Sequence, residues 1–303
     1  MLKRVEFTVA SGEIVGLLGE SGCGKTTTAL ALMQTLPPSA RVAAGSIEFA
    51  GHNLPELDEH QLCQIRGSQI SIIPQNSDAL NPLMRVGPQV MEVLRAHKRT
   101  DKVQMRDEIR SLFALLGLKD CDRIYSAFPH QLSGGERRRI AIAQSLVCKP
   151  RLVIADEPSA WLDSGTTAEI IAVFQQLRDI YNTAFLLISH DPETLNVADR
   201  LLTMYAGEII ENGPLAEVIA EPKHPYTAAL LKCRLYSSES QAPSPRRFCC
   251  IPGQAPDPAE VARGCAYSPR CESRMPICDS RNPELIEISG ARSVRCWKYE
   301  ARV

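Results

Sequence analysis

A glycine-rich run near the amino terminus has the residues of a phosphate-binding loop. Residues 19–26 read GESGCGKT and fit the pattern G-x-x-x-x-G-K-[ST]. Glycines let backbone N–H groups approach phosphate oxygens, and the helix expected after the loop points its positive end at the same anion. We expect Lys25 to reach the β- and γ-phosphates of a nucleotide and the Thr26 hydroxyl to bind Mg²⁺. The predicted nucleotide-binding residues are Gly19, Glu20, Ser21, Gly22, Cys23, Gly24, Lys25, Thr26 and Thr27.

Two carboxylates follow a hydrophobic run in the middle of the chain. Residues 152–157 read LVIADE, so Asp156 and Glu157 come at the carboxyl end of an expected strand, where open α/β sheets bind their ligands. We expect Asp156 to hold Mg²⁺, directly or through water, and Glu157 to act as a general base for an attacking water. An acidic pair at a strand end is often only a turn. Its combination with the phosphate loop predicts a nucleotide-hydrolysing site.

Four further elements stand in a characteristic order around these motifs. They are Gln75 after the apolar run 70–74, LSGGE at 132–136, Asp163, and His190 within SHD. Any one of them alone is usually a turn or a structural residue. Together with the loop and the acidic pair, they make residues 3–220 resemble the ATP-binding cassette (ABC) ATPases.

The resemblance implies a head-to-tail dimer with ATP between its subunits. The phosphate loop of one subunit would bind ATP, and Ser133, Gly134 and Gly135 of the other would cap the γ-phosphate. Gln75 would contact Mg²⁺ and sense a membrane partner, and His190 would hold the γ-phosphate and water in line. Asp163 would belong to the same nucleotide site.

The elements that must position these residues alternate along the first 220 residues. Apolar runs at Glu13–Leu18, Leu152–Ala155 and Ala184–Ser189 predict buried strands, and 26–36 predicts a helix. Such alternation is typical of an α/β domain with a largely parallel sheet. We therefore expect an α/β P-loop NTPase domain of the ABC type at 1–220, with a helical subdomain at about 76–146.

Two departures from the family pattern stand out. Only 18 residues precede Gly19, so the first strand and the aromatic loop that stacks on adenine have no counterpart, and we expect the true start to lie upstream. Arg138 stands at a position where the family often has glutamine, and Trp161 stands at a position where the family usually has a small residue. Both are expected to alter packing against the partner ATPase.

The last segment, 221–303, predicts a loop-rich extension after a flexible linker at Ser237–Pro245. HPYT at 224–227, IPG at 251–253 and GCAYSPRC at 264–271 resemble the extension of oligopeptide, dipeptide and nickel importer ATPases. Four cysteines there suit Zn²⁺ or an iron–sulfur cluster, and the resemblance favours [4Fe-4S]. The alternative is four reduced cysteines without metal. The four are Cys265, Cys271, Cys278 and Cys296.

Composition and the resemblance together predict the partners. The formal net charge is −1, so no basic field attracts nucleic acid, and the amino terminus lacks the apolar run of a signal peptide. We expect a peripheral protein on the cytoplasmic face of the bacterial inner membrane, touching the membrane only through partners. The implied partners are a second ABC ATPase subunit, two permeases and an extracytoplasmic solute-binding protein.

Two other functions stay open at this point. A non-transport ABC ATPase acting on nucleic acid or ribosomes predicts a second cassette, a coiled-coil insertion or a basic surface. A non-hydrolysing partner subunit conflicts with the presence of Lys25, Asp156, Glu157 and His190. The transported solute is not encoded in this sequence.

Overall fold

The computed structural model describes residues 2–75, 80–97, 101–158, 164–238, 251–256 and 263–300. The chain forms two compact units. The first consists of Met1–Thr8, Ile14–Thr28 and Ile188–Val303, and the second of Val9–Glu13 and Ala29–Leu187. Two residues singled out in the sequence, Asp163 and Trp161, lie outside the described residues.

Strands and helices alternate along the described chain. The strands are β1 (Ile14–Leu18), β2 (Glu48–Phe49), β3 (His52–Asn53), β4 (Ile70–Ile73), β5 (Leu152–Asp156), β6 (Ala184–Ser189), β7 (Arg200–Tyr205), β8 (Glu208–Pro214), β9 (Ile286–Ser289) and β10 (Arg292–Val294). The helices are α1 (Lys25–Leu32), α2 (Glu59–Ile65), α3 (Val86–His97), α4 (Lys102–Leu115), α5 (Cys121–Ser126), α6 (Gly134–Leu146), α7 (Ser164–Tyr181), α8 (Leu215–Ala220), α9 (Pro225–Ser238) and α10 (Trp297–Glu300).

The first unit contains a mixed sheet in the order β1-β7-β8-β10-β9. β1 pairs with β7 in parallel, with Val15 opposite Arg200, and the other pairs are antiparallel. All five residues of β1 are buried, as expected for an uninterrupted apolar run. The sheet thus fixes the end of β1, from which the phosphate loop departs.

The second unit places β4 beside β5 in parallel, with Ile70 opposite Leu152, and β6 follows in the order β4-β5-β6. Helices α3 to α6 occupy the chain between β4 and β5, within the range predicted for a helical subdomain. Their core is fully buried at Val90, Leu94, Ile109, Phe113, Ile124 and Ile140. A Cβ atom added at Gly87 would lie 2.4 Å from the ring of Tyr125, so only glycine allows α3 to pack this closely on α5.

The predicted α/β class is confirmed, with shifts at element ends. β1 begins at Ile14 rather than Glu13, and α1 ends at Leu32 rather than at residue 36. Gln34 adopts a left-handed conformation with φ of 52°, and Pro37 and Pro38 follow, which together end the helix.

The prediction of a loop-rich tail was wrong in part. α9 runs from Pro225 through Ser238, where the linker was expected to have begun, and residues 239–250 lie outside the described residues. β10 pairs with β8, so the tail continues the sheet of the first unit. The compact units therefore do not divide near residue 220, and the domain boundary stays a prediction.

Among the described helices, none combines the length and the apolar character needed to span a bilayer.

Candidate functional site

The phosphate loop follows β1 in the first unit, and its glycines meet a spatial requirement. A Cβ at Gly19 would lie 2.5 Å from the carbonyl oxygen of Met204, so a side chain there would displace the backbone of β7. Gly24 has φ of +115°, and Gly22 has φ of +81° with no atom within 4 Å of an added Cβ. The loop is therefore both conformationally demanding and open on one side, as close approach of a phosphate requires.

Lys25 lies inside this loop. Its side chain is buried, and its ammonium group donates to the carbonyl oxygens of Gly19, at 2.7 Å, and Glu20, at 3.0 Å. Thr26 and Thr27 are exposed in the first turn of α1. One buried cation, two hydroxyl groups and a helix amino terminus converge here, so these residues fit a nucleotide polyphosphate and a hard cation such as Mg²⁺.

His190 follows β6 and belongs to the first unit. It is exposed, and its neighbours hold the turn: Ser189 Oγ accepts from the N–H of Asp191 at 3.0 Å, and Asp191 accepts from the N–H of Glu193 at 3.2 Å. A side chain at the end of a strand, on a turn fixed by its own hydrogen bonds, can meet a ligand without rearranging the backbone.

The acidic pair lies at the end of β5 in the second unit. Asp156 and Glu157 are both buried, at 4% and 7% exposure. Glu157 has φ of +49°, a left-handed conformation that residues other than glycine, asparagine and aspartate seldom adopt. Strain of this kind persists only where surrounding contacts hold it, and it is concentrated at functional sites.

Arg138 supplies such contacts from α6, and sequence reasoning missed this function. Its guanidinium donates to four backbone carbonyls: at 2.6 Å to Pro74, 3.4 Å to Gln75, 3.2 Å to Glu157 and 3.3 Å to Pro158. Arg138 therefore brings the segment that ends at Gln75 against the segment that carries Glu157.

The expectation that Arg138 would lie against the partner ATPase has no support in this arrangement. Arg138 is 2% exposed, and burial lowers its pKa, an effect that the nearby Asp156 carboxylate opposes. In the sequence, the only sign that Arg138 was unusual was that it stands where the family often has glutamine. That difference does not reveal that the side chain is buried.

The LSGGE segment forms the start of α6. Ser133 is the N-cap, its hydroxyl accepts from the N–H of Glu136 at 3.2 Å, and Glu136 accepts from the N–H of Ser133 at 2.8 Å. The hydrogen bond from the Ser133 backbone is the main reason that the pKa of Glu136 is lowered, and the ion pair with Arg123 lowers this pKa further. A Cβ added at Gly135 would meet no atom within 4 Å, so this glycine is not required by packing within the chain.

The four tail cysteines share a neighbourhood in the first unit, because Cys271, Cys278 and Cys296 all influence Cys265 electrostatically. Burial raises the pKa of Cys265 to about 11 and also raises those of Cys271 and Cys296. Among the described residues, no group of three or more His, Cys, Asp or Glu is arranged to hold a metal ion. The predicted iron–sulfur cluster is therefore not supported.

Comparison with known families gives two matches. Residues 2–160 match the family described as ABC transporter, and residues 210–278 match the family described as oligopeptide/dipeptide transporter, C-terminal region. The first match includes the phosphate loop and the acidic pair, and the second covers much of the tail.

Individual proteins agree with these matches. The oligopeptide transport ATP-binding protein AppD of Bacillus subtilis is 36% identical over 98% of this chain and 90% of its own length. OppD of Escherichia coli, with the same description, is 38% identical over 97% and 86%. The dipeptide transport ATP-binding protein DppD of Bacillus subtilis is 37% identical over 99% and 90%.

Solved structures resemble the same chain. The dimeric structure of MJ0796, described as a bacterial ABC transporter cassette, has a TM-score of 0.64 at 26% identity and covers 71% of this chain and 90% of its own. The cassette in a post-hydrolysis state bound to ADP and Pi gives the same values.

Proposed function

Because the chain belongs to the ABC transporter family, we propose that it is the ATP-hydrolysing subunit that energises import of peptides or related small solutes. The observation that carries this proposal is the phosphate loop, which holds the buried Lys25 cation at the start of α1. The tail match and the names of the relatives direct the proposal toward peptides.

The phosphate loop would bind the phosphates. In this role, the backbone N–H groups of the loop and of Thr26 and Thr27 donate to phosphate oxygens. Lys25 exchanges its bonds to the carbonyls of Gly19 and Glu20 for bonds to the β- and γ-phosphates, a short displacement of a group already inside the loop. His190 would hold the γ-phosphate and the attacking water in line.

Glu157 would supply the base. In the proposed step, the water oxygen attacks the γ-phosphorus, the bond to the β-phosphate oxygen breaks, and Glu157 accepts the proton. Mg²⁺, when bound with ATP, neutralises phosphate charge, and Thr26, Gln75 and Asp156 are the residues proposed to hold it.

The partners follow from the same proposal. A second ABC ATPase subunit would present its counterpart of the LSGGE segment to the ATP on this chain, while Ser133, Gly134 and Gly135 of this chain would cap the other nucleotide. Asp163 is proposed to belong to the nucleotide site as well. Two permeases and an extracytoplasmic solute-binding protein would complete the importer. In this assembly the subunit lies on the cytoplasmic face of the bacterial inner membrane and meets the bilayer through the permeases.

A non-transport role on nucleic acid or ribosomes is the alternative. The formal net charge of −1 and the match of 210–278 to a transporter-specific region both favour the importer.

The test is Mg²⁺-dependent ATP hydrolysis by the purified protein, alone and with its permeases, beside Glu157→Gln and the control Glu217→Gln on the exposed face of α8. The importer proposal expects hydrolysis that rises with the permeases, is lost in Glu157→Gln and is unchanged in Glu217→Gln. Hydrolysis that responds to RNA or ribosomes and not to permeases would instead support the alternative.

A further inference from the structure

One residue of the phosphate loop is held by the carboxy-terminal extension. The backbone N–H of Glu20 donates to the Tyr226 hydroxyl at 2.9 Å. Its carboxylate accepts from both terminal nitrogens of Arg270, at 2.8 and 3.1 Å. Glu20 is therefore fixed at its backbone and at its side chain by two separate parts of the extension, one from HPYT and one from SPRC.

Arg270 is well placed to act as an anchor. Its side chain is 5% exposed, and besides Glu20 it donates to the carbonyl of Pro252 at 2.8 Å and to the Tyr205 hydroxyl at 3.3 Å. The Glu20 carboxylate is the main reason that the pKa of Arg270 is raised. A two-pronged arginine–carboxylate pair fixes direction as well as distance.

Tyr226 is anchored just as firmly. It is fully buried, and its ring centroid lies 4.5 Å from that of Tyr205 and 5.4 Å from that of Tyr267. The N–H of Tyr226 also donates to His224 Nδ1 at 3.0 Å. The hydroxyl that meets Glu20 therefore has little freedom to move.

The loop itself has little packing on this side. Residues 20–23 line a cavity of about 670 Å³ together with Gln254, Ala255, Pro256 and Pro269 of the extension. Open space borders the loop at the exposed Ser21 and Gly22, so the hydrogen bonds of Glu20 help to hold this part of the loop in position. Glu20 in turn accepts from Lys25 through its carbonyl oxygen.

We infer that Arg270 and Tyr226 are positioning residues for nucleotide binding, which hold Glu20 and, through it, the phosphate loop and Lys25 in the conformation that accepts phosphate. The inference rests on the proposed ATP-binding function and assigns to the extension a part in it. Neither Arg270 nor Tyr226 is proposed to contact the nucleotide itself.

The test measures Mg-ADP affinity of the purified full chain by calorimetry, so its readout does not depend on hydrolysis. Arg270→Gln and Tyr226→Phe are expected to weaken ADP binding about tenfold, which corresponds to about 1.4 kcal/mol. Arg270→Lys should restore part of the affinity because it keeps the charge. Arg274→Gln is the matched control, since Arg274 forms an exposed ion pair with Asp279 in the same extension.

A double-mutant cycle separates positioning from folding. If Arg270 acts through Glu20, Glu20→Gln combined with Arg270→Gln should bind ADP no more weakly than Arg270→Gln alone. Variants with a lowered melting temperature but unchanged ADP affinity, measured well below that temperature, would overturn the inference. Wild-type protein that binds ADP but hydrolyses no ATP with its permeases would instead count against the proposed function alone.

Discussion

At the scale of single residues, the backbone of the proposed catalytic base is held by a buried arginine, Arg138. Glu157 holds a left-handed backbone conformation, and the Arg138 guanidinium binds its carbonyl together with those of Pro74, Gln75 and Pro158. One buried side chain thereby ties the two segments that carry Gln75 and Glu157.

We therefore predict that Arg138→Leu lowers the rate of ATP hydrolysis at least tenfold without a comparable loss of nucleotide affinity. The variant removes a charged donor from four backbone carbonyls, two of them on buried residues, so it should also lose about 2–4 kcal/mol of unfolding free energy. Steady-state kinetics and urea unfolding measure the two effects.

The control for this prediction is Arg139→Gln on the same helix. Arg139 also binds a backbone carbonyl, that of Leu116, together with the Glu169 carboxylate, but it does not reach Gln75 or Glu157. Its loss should reduce stability and spare the rate. Equal rate losses in the two variants would mean that Arg138 supports α6 rather than the site.

Lys25, Asp156 and Glu157 could be predicted as site residues from the sequence alone, because the short-range pattern of residue types already indicates the chemistry, and their roles stay predictions. The sequence did not supply Arg138 or Arg270. Their partners are backbone carbonyls and a carboxylate far away along the chain, and no local spacing encodes such contacts.

At the scale of elements, the start of α6 combines a structural device with a proposed functional one. Ser133 and Glu136 form a capping box, and α2 begins with the same device at Asp58 and Gln61. The cap of α6 therefore lies inside the LSGGE segment at 132–136, whereas the cap of α2 lies outside it.

We predict that Ser133→Ala and Asp58→Ala each lower the unfolding free energy by about 1 kcal/mol, the usual value of an N-cap. Only Ser133→Ala should also abolish most ATP hydrolysis, because the proposed role of Ser133 is to cap the partner's nucleotide. Chemical denaturation and hydrolysis assays on both variants check this. Loss of hydrolysis in both would reduce the role of Ser133 to helix capping.

The segment before α3 carries the most exposed of the large apolar side chains in the described part of the chain, Leu83 at 85% exposure. It lies eight residues after Gln75, which we propose to sense the membrane partner. We predict that Leu83→Ser removes most of the stimulation of ATP hydrolysis by permeases and leaves the basal rate unchanged.

Val103 at the start of α4 is the control, since it is 67% exposed and also apolar. Val103→Ser should preserve the stimulation. If both substitutions remove it, general surface polarity rather than a docking contact at Leu83 would explain the effect.

Elements with uninterrupted apolar runs were predicted well, as β1, β5 and β6 show. α9 was missed because Pro222 and Pro225 lie in a segment whose composition favours loops. Pro225 is in fact its first residue, a position where the missing N–H carries no penalty.

At the scale of the whole molecule, burial of the HPYT segment makes stability sensitive to pH. His224 is 2% exposed, and burial lowers its pKa from an ordinary 6.5 to about 3. The unfolded chain therefore binds a proton at His224 before the folded protein does. The associated stability is fully present above about pH 6.5 and is lost as the pH falls toward 3.

We predict that His224 alone removes about 2 kcal/mol of unfolding free energy between pH 7.5 and pH 5. His224→Asn, which keeps an acceptor for the N–H of Tyr226, should be less stable at neutral pH but lose less on acidification. His60→Gln, at an exposed position, should keep the wild-type pH dependence. A wild-type pH profile in His224→Asn would show that other groups cause it.

The central claim concerns the coupling of hydrolysis to transport, and one measurement tests it most directly. The complete importer, with permeases, partner ATPase and solute-binding protein, is reconstituted in vesicles. ATP hydrolysed and peptides accumulated from a mixture of short peptides are then measured in the same sample, for wild type and Glu157→Gln. We predict ATP-dependent peptide accumulation in the wild type and neither hydrolysis nor accumulation when Glu157→Gln is present in both nucleotide sites or in the only active one. Equal accumulation in the variant, or wild-type hydrolysis without accumulation of any peptide, would contradict it.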